Sequence, residues 1–160
     1  MAEIEHKPRI AVGADHAGYH VKEAVKKYLE TSGYPVDDMG TWSEESVDYP
    51  DYAKKVADRV VAGQDDFGFL ACGTGIGMSI AANKVEGVRA ALAHDVMTAR
   101  LARQHNNANV LTLGGRVVTD DQAIEIVKDF LATEFRVGRH QRRIDKIAEL
   151  DRERDAHSKV

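Results

Sequence analysis

Apolar residues along the chain alternate between two kinds of pattern. Dense short runs, Arg9 to Ala14, Tyr34 to Met39, Phe67 to Ala71, Val88 to Ala93 and Asn109 to Leu113, have the character of parallel strands covered on both faces. Between them fall stripes at the helical period: Val21, Ala24, Val25, Tyr28 and Leu29; Ala53, Val56, Ala57, Val60 and Val61; Ala123, Ile126, Val127, Phe130 and Leu131. Met78 to Lys84 and Val96 to Gln104 read as two further helices. Gly33 and Gly63 stand where the first two helices should stop, Gly40 to Pro50 has loop composition, and Thr119 or Asp120 is placed to cap the helix that follows. From Arg139 the chain is charged, yet Ile144, Ile147 and Ala148 keep one apolar side. That predicts a terminal helix lying on another surface, with a second subunit as one option.

Strands alternating with helices predict an α/β fold, a doubly wound sheet of about five parallel strands with helices on both faces and a C-terminal helical arm. A length of 160 residues suits one domain over 1–160, with 1–8 as an extension and 139–160 as arm and tail. Hydrophobic content of 43% and charged content of 30% are those of an ordinary globular chain, which argues against a disordered class. There is no run long enough to span a bilayer and no secretory layout at the N-terminus, so a cytoplasmic address without membrane contact is expected. The single cysteine fits a reducing compartment. A net charge of −4 gives no reason to expect nucleic acid, although arginines gather at Arg136, Arg139, Arg142 and Arg143.

In such sheets ligands bind beyond the carboxyl ends of the strands, so the loops after Ala14, Ala71, Ala93 and Leu113 should converge. They carry Asp15, His16, Cys72, Thr74, His94, Asp95 and Arg116. The richest is Cys72-Gly-Thr-Gly-Ile-Gly77, a strand end turning into a helix start, which offers unpaired N–H groups to an anion. Its glycines at every second position fit neither the dinucleotide fingerprint nor a phosphate-binding P-loop. A tight turn without a ligand is the plain alternative.

Cys72 can be an inert core residue, or a base or nucleophile facing the helix start. A cysteine phosphatase would need arginine six residues on, where Met78 stands; a Cys-His hydrolase stays open. His16, His94, His105 and His140, with Asp15 and Asp95, show no paired metal-ligand spacing, so no metal is expected. His105 stands out in Gln104-His105-Asn106-Asn107, among polar neighbours able to orient its ring. The arginines after Gly138 read either as the solvated start of a helix or as forked phosphate ligands alongside Arg116.

Asp15-His16-Ala-Gly18, Gly40-Thr-Trp42, Asp48-Tyr-Pro50, Cys72-Gly-Thr-Gly-Ile-Gly77, Ala81-Ala-Asn-Lys84, Arg103-Gln-His-Asn106 and Gly138-Arg-His-Gln141 together resemble the type B ribose-5-phosphate isomerases and their sugar-phosphate isomerase relatives. The resemblance runs from about Arg9 to about Leu150. It implies a Rossmann-like fold and a cofactor-free, metal-independent aldose-ketose isomerase acting on ribose 5-phosphate, as a homodimer or dimer of dimers with shared active sites. By position, Cys72 matches the base, His105 with Thr74 the group that opens the furanose ring, and Asp15 a holder of sugar hydroxyls. The amides of Gly73, Gly75, Ile76 and Gly77, with Asn106, match the enediolate stabilisers. His16, Arg116, Arg139 and Arg143 match the phosphate grip, the last two expected from the partner subunit. Relatives acting on allose 6-phosphate or four-carbon sugar phosphates, and a non-catalytic sugar-phosphate-binding module, are the alternatives.

Overall fold

The computed structural model describes residues 6–159. Five strands, β1 (Ile10–Ala14), β2 (Val36–Asp38), β3 (Phe67–Cys72), β4 (Ala90–Leu92) and β5 (Val110–Gly114), form one sheet in the order β2-β1-β3-β5-β4. Every pair is parallel. The register sets Ala14 beside Ala71 and Cys72 beside Gly114, so β1, β3 and β5 end level with one another. The order in which successive strands are added to the sheet reverses between β1 and β3, which opens a crevice at their carboxyl ends.

Side-chain alternation divides the core in two. Ile10, Val12, Ala14, Phe69, Ala71, Leu111 and Leu113 pack on α1 (Tyr19–Thr31), α4 (Val96–Asn106) and α5 (Asp120–Ala132). Leu70, Cys72 and Val110 face the other way, onto α2 (Tyr49–Val61) and α3 (Ile76–Ala82). The doubly wound expectation therefore holds, with the period of two in β3 deciding which helices Cys72 meets.

Several boundaries move. β2 is shorter than Tyr34 to Met39: it pairs with β1 alone, follows Pro35, and its last residue turns its carboxylate onto the buried Lys22. β4, on the opposite edge, is shorter than Val88 to Ala93 for the same want of a second neighbour. α2 takes Tyr49 and Pro50 into its first turn, where proline is already shaped for a helix. α3 starts at Ile76 instead of Met78, because Gly75 (φ 80°) turns the chain there. β5 runs one residue past Leu113, to Gly114, and α4 runs on to Asn106, so His105 and Asn106 belong to its last turn. Thr119, and not Asp120, caps α5, in a reciprocal box with Gln122. The terminal arm is α6 (Gly138–Ser158), with Ile144 buried. It rests partly on its own chain: Asp151 accepts the Gly87 N–H at 3.1 Å and Arg154 donates to Lys84 O at 3.0 Å. Ile147 and Leu150 stay exposed.

Candidate active site

The loops after β1, β3 and β5 meet backbone to backbone at the carboxyl edge of the sheet. Gly115 donates to Cys72 O at 2.8 Å and Arg116 N–H to Gly73 O at 3.0 Å, locking the third loop onto the second. Gly115 is needed there, since a Cβ would come within 2.5 Å of Ala17 O in the first loop. Asp15 is buried and shapes the first loop: its Oδ1 accepts from the N–H groups of Ala17 at 2.9 Å and Gly18 at 3.0 Å. Oδ2 makes no hydrogen bond among the described residues and is open to a ligand.

Cys72, the last residue of β3, is buried. Its Sγ accepts the Gly75 N–H at 3.1 Å. Gly75 can aim that N–H back at the sulfur because it occupies the left-handed region, and a Cβ would meet Leu92 Cδ1 at 2.6 Å. Thr74, exposed at the loop tip, accepts from Ile76 N–H at 3.2 Å through its hydroxyl. Its carbonyl accepts from His94 Nε2 at 3.1 Å, which fixes the proton on that nitrogen. Arg116 lies over Gly73, its Nη1 3.2 Å from where a Cβ would stand, and the Tyr49 ring lies against Gly77.

His16 is half-buried beside this group. Its Nδ1 accepts the Val47 N–H at 3.2 Å, which leaves the proton on Nε2 as a donor. The 40–48 loop is thus tied to the site, and a second histidine, His20, bonds Glu44 of the same loop. Asp15, His16, Cys72, Thr74, Gly73, Gly75, Ile76, Gly77 and Arg116 are in this way brought to one edge of one chain. Among the described residues no three His, Cys, Asp or Glu side chains gather as a metal site would require.

His105, Asn106, Arg139 and Arg143 are not. α4 begins at the carboxyl edge and runs down to the opposite one, about 16 Å for its length. Asn107, in the left-handed region, ends it, and its carbonyl accepts from Arg89 Nε at 2.9 Å. Arg103, a turn earlier, lies over the ring of Phe67, the first residue of β3. Cys72 is the last residue of that strand, ~17 Å away along it. Asn106 lines a cavity of about 290 Å³ with Arg89, Ala91 and Ile147 near that lower edge. His105 and Asn106 therefore stand away from the cysteine of their own chain: a helix leading into a parallel strand must end at the strand's start.

At that lower end the His105 and His140 rings stack, centroids 4.5 Å apart and planes 15° from parallel. Arg139 and Arg143 are exposed on the first turns of α6 beside them. Partial burial and then the charges of His105, Arg139, Arg143 and Arg136 push His140 below the usual imidazole range. No local pattern foretells this stack, because the two residues are 35 positions apart.

Comparison with known proteins bears on the same residues. A family model described as ribose/galactose isomerase matches residues 10–147. Ribose-5-phosphate isomerase B of Escherichia coli strain K12 is 45% identical over 147 residues, covering 92% of this chain and 99% of its own. The Clostridium thermocellum ribose-5-phosphate isomerase B structure superposes with a TM-score of 0.90 at 49% identity, covering 91% of this chain and 98% of that one. A Mycoplasma genitalium ribose-5-phosphate isomerase B structure with bound ribulose 5-phosphate gives 0.87 at 49% identity, with 91% and 97% covered.

Proposed function

The chain belongs to the ribose/galactose isomerase family, and on that ground we propose that it interconverts ribose 5-phosphate and ribulose 5-phosphate, with Cys72 as the base. It is a sugar-phosphate isomerase. The observation that carries the residue assignment is the Gly75 N–H held 3.1 Å from Cys72 Sγ at the crevice between β1 and β3.

The chemistry follows from what that edge offers. In the open-chain aldose, the Cys72 thiolate takes the proton from C2 and returns it to C1, while the oxygen proton passes from O2 to O1. The enediolate formed between the two transfers is held by the amides of Gly73, Thr74 and Gly77, while those of Gly75 and Ile76 are bonded to Cys72 Sγ and the Thr74 hydroxyl. Asp15 Oδ2 accepts from sugar hydroxyls, and Arg116 and His16 Nε2 donate to the phosphate. Thr74 at the loop tip borders the furanose ring.

Ring opening and the rest of the phosphate grip need His105, Asn106, Arg139 and Arg143, which lie at the other end of the chain. A second copy supplies them: a two-fold pair that brings the lower end of one α4 to the Cys72 edge of its partner completes two identical sites. The exposed Ile76 and Ile80 on α3 and Leu92 on β4, beside the Cys72 loop, are apolar surface available to such a pair. Homodimerisation is thus part of the proposal, as is a cytoplasmic setting for a chain whose described helices include none long and apolar enough to cross a membrane.

The test is turnover of ribose 5-phosphate by metal-stripped protein, with Cys72→Ala beside it. Conversion that disappears in the variant is expected, and a variant as fast as the wild type would remove Cys72 from the role.

A further inference from the structure

A histidine that must hand a proton to a ring oxygen needs a fixed ring plane, and this is commonly set by a hydrogen bond to one of its nitrogens. His105 has no such bond among the described residues. Neither ring nitrogen has a partner, and the residue is only half-buried, on the last turn of α4. What touches its ring face is His140, almost parallel at 4.5 Å between centroids.

The stack has a rigid base. Arg136 N–H donates to Gln104 O at 3.0 Å, so the chain entering α6 is fastened to the residue before His105. Gln141, next to His140, donates to Asp145 at 2.8 Å, one turn further along α6. His140 is pushed towards its neutral form by partial burial and by His105, Arg139, Arg143 and Arg136, which keeps a cation off the face of the ring it covers. Face-to-face contact leaves the edges of both rings, with their nitrogens, open outward.

We propose that His140 is the positioning residue for His105: by stacking on its face it holds the His105 ring in the plane from which a nitrogen reaches the furanose oxygen of the substrate. This rests on the isomerase reading above. His140 does not itself touch substrate; it acts through His105.

The two directions of the reaction separate this role from a general structural one. Ribose 5-phosphate is a closed furanose and must be opened. Ribulose 5-phosphate cannot close a five-membered ring through its phosphorylated O5, so exchange of its C1 hydrogen with solvent deuterium needs only the proton transfer at Cys72. In His140→Ala the forward turnover of ribose 5-phosphate should fall roughly tenfold at unchanged KM, since a small misplacement of a catalytic group costs that much or more. His140→Phe, which keeps a flat ring on His105, should restore it to within about threefold. Exchange into ribulose 5-phosphate should match the wild type in both variants. Forward turnover in His140→Ala equal to the wild type, or a parallel loss of turnover and exchange, would overturn the inference. Wild-type protein inactive in both assays would overturn the isomerase reading and this inference with it.

Discussion

At the scale of single residues, the proposed proton transfer depends on Cys72 and the backbone that turns after it. Replacing Cys72 with serine keeps the size of the side chain and removes the acid-base group, so turnover should fall by about 10³-fold while ribulose 5-phosphate still binds. Steady-state rates beside a binding isotherm separate the two effects. Gly75→Ala acts through conformation: its φ of 80° and the 2.6 Å approach to Leu92 leave no room for a methyl group. A loss of roughly 1–3 kcal/mol in urea unfolding is expected, with weakened turnover because the N–H that points at Cys72 Sγ moves. These two residues were legible in the sequence as a strand ending in a cysteine and alternating glycines. Asp15 was legible only in part. Its loop position could be read, but one carboxylate oxygen is occupied by the Ala17 and Gly18 amides, a division of labour set by the folded loop and not by residue order. The Val47 N–H that fixes the His16 tautomer comes from a loop whose composition says nothing about where it folds.

Among elements, the join between α1 and β2 supports the loop that reaches His16. Lys22 is fully buried and donates to both oxygens of Asp38 at 2.8 and 2.9 Å; Asp38 also accepts from Lys26 at 3.1 Å and from the Gly40 N–H at 2.9 Å. Burial works against ionisation of Asp38, but the bonds from Lys22, Gly40 and Lys26 outweigh it and hold the carboxyl below its usual range. A depressed carboxyl contributes stability that is present above the unfolded value and lost as pH falls through the folded one. Asp38→Asn should therefore cost about 2 kcal/mol at neutral pH, because the buried Lys22 loses its bidentate partner and keeps only Glu23, at 3.0 Å, as a carboxylate. The gap between variant and wild type should close as the pH is lowered below that of an ordinary carboxyl, which denaturant titrations across the acid range would measure. The period of the apolar stripes made α1, α2 and α5 readable nearly to their ends. Edge strands β2 and β4 were overextended, because an apolar run does not disclose that one side lacks a neighbour. The order in which β5 lies inside β4 has no local signature either.

For the molecule as a whole, the decisive fact is that one chain carries the two halves of the proposed site at opposite ends. Cys72, Asp15, His16 and Arg116 sit where the strands finish; His105, Asn106, Arg139 and Arg143 sit where they start. Chain direction alone implies this, since α4 runs from the His94 loop down to the beginning of β5. The family resemblance assigns only Arg139 and Arg143 to the partner copy, and topology is what sets His105 and Asn106 apart from Cys72 as well. Shared sites give a direct test. Cys72→Ser and His105→Gln should each be inactive alone, since every two-fold pair then lacks one half of both sites. Co-expressed under different tags, the two variants form mixed pairs in which one site has both defects and the other has none, so random pairing predicts about a quarter of wild-type turnover. A co-expressed mixture as inactive as either parent, with mixed pairs demonstrably present, would contradict the account.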